Sequence, residues 1–256
     1  MSDPNQQWQP PPPPPSAPPL AVETGPDMST PETLSGIFFE PGRTFEALRK
    51  RPRFLIVGII LIVLTTAVDI ALFMRVDMGQ FIREKIEQSS QNQSQTEDQK
   101  ELQVKIGKIA GAVIPPLSVP IVFAAGAALY LLGVMAFGGT ISYKRSLSVW
   151  AYSSLPPSVI GTIIALLVLF LKTADTIDPE HLLVTNPGAF TNAHDAPVLT
   201  ALLSQFDIVR FYGIFLAAIG LRKVAKISSG SAWGIVLGYW LLGLILSVSW
   251  HAIRGQ

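Results

Sequence analysis

A chain of 256 residues with 19 lysines and arginines against 18 acids, and a formal net charge of +1, has no strongly basic surface for nucleic acid. Its lack of cysteine excludes disulfides, thiolate nucleophiles and cysteine metal sites. It is 49% hydrophobic and only 14% charged, with a mean hydropathy of +0.41; soluble domains carry about 25% charged residues, so the composition is that of a chain whose solvent is lipid.

Residues 1–33 form a low-complexity stretch with a run from Pro10 to Pro15 followed by Pro18 and Pro19. Such a run favours polyproline II, which has no internal hydrogen bonds and buries nothing. It is expected to be a disordered, semi-rigid tail, either a simple tether or a ligand for a proline-binding protein partner. Prolines stand where a signal peptide has its charged head and apolar core, so the first apolar helix is expected to be retained.

Residues 34–52 alternate apolar anchors (Leu34, Ile37, Phe38, Phe39, Phe45, Leu48) with Arg43, Arg49, Lys50 and Arg51, and Arg53 follows. Pro41 suits the first turn of a short helix, and Pro52 marks a break. The pattern predicts an amphipathic lead-in segment lying along the headgroups, aromatics inserted and cations toward anionic lipid. The same surface would also serve as a landing place for a cytoplasmic partner.

Five stretches then follow, at 54–73, 109–137, 150–171, 206–222 and 233–253, each apolar enough to cross a bilayer. A helix rises about 1.5 Å per residue, so about 20 residues span a hydrocarbon core about 30 Å thick. The fourth is marginal unless it begins near Phe206. Backbone groups in lipid must be satisfied within their own segment. The fold class is therefore all-α: a polytopic membrane protein, one five-helix transmembrane bundle over residues 34–256 behind a disordered N-terminal tail.

Two long loops, 74–108 and 172–205, follow the first and third spans. The first interleaves bases with acids and has a glutamine- and serine-rich centre from Ser89 to Thr96. Phe81, Ile82 and Ile86, then Leu102, Ile106 and Ile109, recur at helical spacing, so the first two helices are expected to extend beyond the bilayer. The second loop has turn signals at Asp178-Pro179 and Asn186-Pro187-Gly188 and is expected to be irregular. Short basic flanks decide orientation, because long loops cross regardless of charge. Arg43 to Arg53, Lys144 with Arg145, and Arg222, Lys223 and Lys226 fall on one face if the spans alternate. That face is expected to be cytoplasmic, with the N-terminus on it and the C-terminus outside.

Inside the spans, Pro115, Pro116 and Pro120 in the second, and Pro156 and Pro157 in the third, should kink the helices or delay their start. Gly230, Gly234 and Gly238, at successive spacings of four, make a ridge without side chains along the fifth helix. Gly213 and Ala217 offer the fourth helix as its partner, or the ridge is the seam of a homo-oligomer. Trp233 and Trp250 bracket the fifth span at the interfaces. Ionisable groups in lipid are costly enough to be functional suspects, and Asp69 is the one at depth, about four residues before the outer end of its helix. Asp207 and Arg210, three apart at the mouth of the fourth span, are able to pair. A proton or ion path would want several such groups facing one another.

No phosphate-binding glycine–lysine loop, Gly-x-Ser-x-Gly or His-Glu-x-x-His occurs. His181 and His194, near Asp178, Glu180 and Asp195, match no metal-ligand spacing and read as solvated loop residues. No cofactor or metal is expected, nor enzymatic chemistry.

Three passages resemble the bacterial branch of the Yip family, small five-span membrane proteins. The first is Ile37-Phe38-Phe39-Glu40-Pro41-Gly42-Arg43-Thr44-Phe45 before the first span. The second runs from Phe137-Gly138-Gly139-Thr140 through Tyr143 to Ala151-Tyr152-Ser153-Ser154-Leu155-Pro156. The third is Phe206-Asp207-Ile208-Val209-Arg210, followed by Ile219-Gly220-Leu221, where the family usually has an aromatic in place of Val209 or Arg210. The resemblance covers the chain from about Leu34 onward. It implies a cytoplasmic N-terminus and a place in the bacterial cytoplasmic membrane. Eukaryotic relatives are associated with vesicle traffic and Rab-type GTPases, a system bacteria lack. The expected role is a non-enzymatic membrane scaffold or organising protein acting through helix packing and partner binding; the alternative is a small transporter or channel.

Overall fold

The structure, a computed structural model, describes residues 26–89, 95–179, 182–183, 185–191 and 196–254. The proline run of the tail, His181 and His194 lie outside the described residues, as do Glu180 and Asp195. All regular elements among the described residues are helical.

Two short helices precede the first span: α1 (Thr30–Phe39) and α2 (Pro41–Lys50). Ser29 caps α1 reciprocally: its hydroxyl accepts the Glu32 amide at 3.4 Å, and the Glu32 carboxylate accepts the Ser29 amide at 2.6 Å. Pro41 opens α2, where the missing N–H is not needed. The tail boundary anticipated between residues 33 and 34 thus moves back: α1 begins at Thr30, and Thr33 is buried.

The expectation that the apolar anchors of this segment insert into lipid is also corrected. Ile37, Phe45 and Leu48 have no exposed surface, because they pack into the main core beside Val149, Tyr152 and Leu221. Burial of such a side chain is worth about 1.5–3 kcal/mol. The apolar face that looked lipid-seeking faces protein, and Phe39, 84% exposed, is the anchor left pointing outward.

The spans are α3 (Leu55–Arg75), α5 (Glu97–Ala136), α6 (Tyr143–Leu171), α8 (Ile208–Ala225) and α9 (Ser229–Arg254). Four are long and apolar enough to cross a membrane alone; α8 joins them when counted with α7 (Pro197–Leu203), from which it is bent by 45°. The fourth apolar helix itself begins at Ile208, capped by Asp207, and reaches a membrane-crossing length only with α7 before it.

Helix α6 lies at the centre, packed on α3, α5 and α8; α9 packs on α8, and α1–α2 sit across α6 and α8. The core is built on small residues, among them Ala127, Ala151, Ala217, Ala218 and Ala232, while Ile59, Val63, Leu117, Ile121, Leu167 and Leu241 point outward. Lipid is as apolar as leucine, so helices gain by close approach rather than by hiding large side chains. Two glycines carry that approach. A Cβ on Gly126 would overlap the Trp150 indole, and one on Gly220 would come within 2.8 Å of Val149 and 2.9 Å of Phe45.

Helix α5 has 40 residues, about 60 Å at about 1.5 Å per residue and about twice a hydrocarbon core. Its N-terminal part projects from the bundle, and α4 (Met78–Ser89) packs against it. The first span does not extend in the same way: α3 stops at Arg75, and Asp77 starts α4 by accepting the Gly79 and Gln80 amides. Neither proline group delays or breaks its helix. α5 runs unbroken through Pro115, Pro116 and Pro120, and α6 through Pro156 and Pro157. Lipid offers the remaining backbone groups no competing partner, so losing single bonds does not end the helix. The loop after α6 is more ordered than anticipated, with 3-10 turns at Ala174–Thr176 and Pro187–Phe190 and then α7.

Candidate functional site

The basic clusters meet at the end of the bundle that carries α1–α2. Lys223 of α8 pairs with Glu46 of α2 at 2.5 Å, and the Arg145 side chain of α6 donates to the Arg49 carbonyl at 2.8 Å. Deeper in, the Thr33 and Tyr152 hydroxyls are bonded at 3.0 Å. The lead-in helices are thus welded to the bundle by apolar burial, a half-exposed ion pair and buried hydroxyls.

The glycine ridge on α9 does not meet α8. A Cβ on Gly230 would find only Ser228 at 3.8 Å, one on Gly234 would touch Phe137 at 3.1 Å, and one on Gly238 would meet nothing within 4 Å. Helix α9 reaches the core through Ala232, Ile235 and Val236 instead, so the ridge lies on its outer side. Gly213 faces Pro157 and the Ser153 carbonyl of α6, and Ala217 is buried in the central cluster. Spacing identified a smooth face but not what covers it.

At the opposite end the structure draws together the three polar residues that the sequence singled out separately. Asp69 of α3, Asp207 at the cap of α8 and Arg210 in its first turn all line one cavity of about 770 Å3. Its back wall is α6, through Pro157, Ser158, Gly161, Thr162 and Ala165, and Leu182, Leu183 and Asn186 of the following loop cover it. Helices α3 and α8 each pack on α6 but not closely on one another, which leaves the cleft between them.

The anticipated pairing of Asp207 with Arg210 takes another form. Asp207 Oδ1 accepts the Arg210 backbone amide at 2.9 Å, and Oδ2 accepts from the Thr185 hydroxyl and, at 3.5 Å, from the Asn186 amide. The Arg210 guanidinium turns instead to Gln205 Oε1. Asp207 is a helix cap fixing the loop to α8. The Gln205 carbonyl in turn accepts from the Trp240 indole at 3.2 Å, and Phe206, Phe211 and Trp240 cluster with centroids 5.5–6.3 Å apart. That aromatic hinge holds the bent α7–α8 pair against α9.

Asp69 is different. Its Oδ2 is buried and has no hydrogen-bond partner among the described residues. A buried carboxylate oxygen left unpaired is costly. Thr65, one turn earlier on α3, with Ser158 and Thr162 on α6, supplies hydroxyls to the same cavity. Sequence reasoning passed over these three, although Thr65–Asp69 and Ser154–Ser158–Thr162 recur at the four-residue spacing that lines one helix face. No cluster of three potential metal ligands occurs among the described residues.

Comparison with known proteins places this architecture. The family model described as the Yip1 domain matches residues 35–250. The membrane protein YknW of Bacillus subtilis (strain 168) is 30% identical over 232 residues, which cover 85% of this chain and 92% of that protein. No solved structure matches the chain. With the motif order before the first, third and fourth spans, and apolar helices enough for a multi-pass bundle, this chain belongs to the Yip1-domain family of membrane proteins.

Proposed function

We propose that this protein is a non-enzymatic scaffold of the bacterial cytoplasmic membrane that organises neighbouring proteins. In this reading the α1–α2 end faces the cytoplasm, the C-terminus lies outside, and the proline-rich tail reaches a cytoplasmic partner. The observation that carries the reading is the burial of Ile37, Phe45 and Leu48 in the bundle core. A segment that merely touched lipid would be free to move, whereas this one is a rigid platform that sets where the tail leaves the membrane. Three basic clusters at the same end support the orientation.

The test is crosslinking and affinity capture from native membranes, comparing the intact chain with one lacking residues 1–25, a deletion that spares the Ser29 cap. Neighbours that crosslink to the tail or to α1–α2 of the intact chain, and are lost on truncation, are the expected result. Recovery of both chains alone would overturn it. Reporter fusions at each end check the orientation, and both ends on one side would contradict it. A second reading, a small transporter, is favoured by the cleft at Asp69. If Asp69→Asn abolished solute flux in reconstituted vesicles, that reading would replace the first.

A further inference from the structure

We propose that the cleft between α3, α6 and α8 seats the headgroup of an ethanolamine phospholipid, with Asp69 accepting its ammonium. This goes beyond the scaffold reading and does not rest on it.

Asp207 spends both oxygens on the Arg210 amide, Thr185 and Asn186, so it has little left for a ligand. Asp69 lines the same cavity, and its Oδ2, buried behind that lining, has no donor among the described residues. Thr65, Ser158 and Thr162 add hydroxyls that solvate a polar headgroup but leave the carboxylate charge uncompensated. The missing complement is therefore a cation with N–H donors.

Access and shape specify what carries it. Because α3 and α8 are held apart by α6, the cleft lies between two helices that stand in lipid, and its cover is the loop after α6. What lies beside a spanning helix is a phospholipid. The volume, about 770 Å3, falls within the range of small-molecule sites. Val68, Ala165 and Val209 give apolar wall for the glycerol and upper acyl region. Arg210 is exposed at the α8 side of the cleft and suits the phosphate. A glycerol headgroup would satisfy Arg210 but bring Asp69 no cation. A choline headgroup would bring charge without an N–H. Of these three, the ethanolamine headgroup alone meets both ends.

The test uses the full chain purified in mild detergent and mixed with phosphatidylethanolamine, phosphatidylcholine or phosphatidylglycerol of matched acyl chains, with retention read by native mass spectrometry. A hydrogen bond to a charged group makes retention of the ethanolamine lipid about tenfold greater than that of either other lipid. Asp69→Asn, close in shape, should bring it down to the choline level. Equal retention of the three lipids, or a preference that survives Asp69→Asn, overturns the proposal. Displacement of the lipid by free phosphoethanolamine at equal concentration would assign the site to a soluble amine and overturn the lipid source. Should Asp69→Asn fail to fold, Thr162→Leu fills the cleft from α6 without touching the carboxylate. Undiminished ethanolamine-lipid retention in that variant would count equally against the site.

Discussion

The two ends of this bundle are built on opposite plans. Around α1–α2 the chain closes on itself: Ile37, Phe45 and Leu48 join a cluster that runs through α3, α5, α6, α8 and α9. At the far end the buried cluster shrinks to Ala71, Leu169 and Ile177, α4 and the start of α5 stand clear of the bundle, and the cleft opens between α3 and α8. Packing at one end fixes geometry; looseness at the other leaves room for a ligand. The closed end is where a small change should cost most, and the open end is where polar chemistry can be altered with the fold intact.

The largest effect expected on that contrast is at Phe45. Phe45→Ala should lower stability in detergent by about 3–5 kcal/mol, the usual cost of removing a fully buried phenylalanine, read from thermal or denaturant unfolding of the full chain. An effect below about 1 kcal/mol would mean that α1–α2 lie on the bundle without belonging to its core. Asp69→Asn at the open end should leave stability unchanged or raised, since it removes a partly buried carboxylate whose Oδ2 no described residue pairs.

A middle-sized effect separates two kinds of glycine. Gly220→Leu forces a side chain against Val149 and Phe45 and should cost about 1–3 kcal/mol or more by overpacking. Gly238→Leu, with open space around its Cβ position, should stay within about 0.5 kcal/mol. If Gly238→Leu instead reduced energy transfer between labelled copies in vesicles, the outer ridge of Gly230, Gly234 and Gly238 would be a seam between copies. Equal stability losses at Gly220 and Gly238 would erase the distinction drawn here.

How far each feature was legible follows from the same physics. The spans were, because length and apolarity are set by the bilayer and need no partner; Trp150 at the head of the third missed only that α6 starts at Tyr143. The destiny of an amphipathic face was not. Ile37, Phe45 and Leu48 beside arginines describe a helix for a headgroup layer and a helix for a protein groove equally well, since the sequence of α2 contains no mark of Val149 or Gly220 across from it. What faces the glycine ridge was illegible for the same reason, and α8 is not it. The polar trio was half legible: Asp69, Asp207 and Arg210 each stood out by cost, but their convergence depends on α6 holding α3 and α8 apart. Helix α7 was hidden by its shortness, although Val198, Leu199, Leu202 and Leu203 already carry a helical pattern behind Pro197.

The smallest effect sharpens the closed end from its edge. The Ser29 amide, and secondarily the Ser29 hydroxyl, holds the Glu32 carboxyl below its ordinary value of 4.5. A carboxylate whose pKa is depressed on folding contributes its stabilisation above the unfolded value and loses it as pH falls through the folded one. The cap on α1 should therefore be constant from neutral pH down to about 5 and weaken only below about 4. In a backbone amide titration the Ser29 proton should shift with a midpoint under 4.5, and Glu32→Gln should abolish that shift. Because Glu32 is exposed while Ile37 is buried, α1 should stay docked throughout the titration. Loss of the Thr33–Tyr152 contact over the same pH range would show instead that the cap, and not the buried anchors, holds the lead-in helix on the bundle.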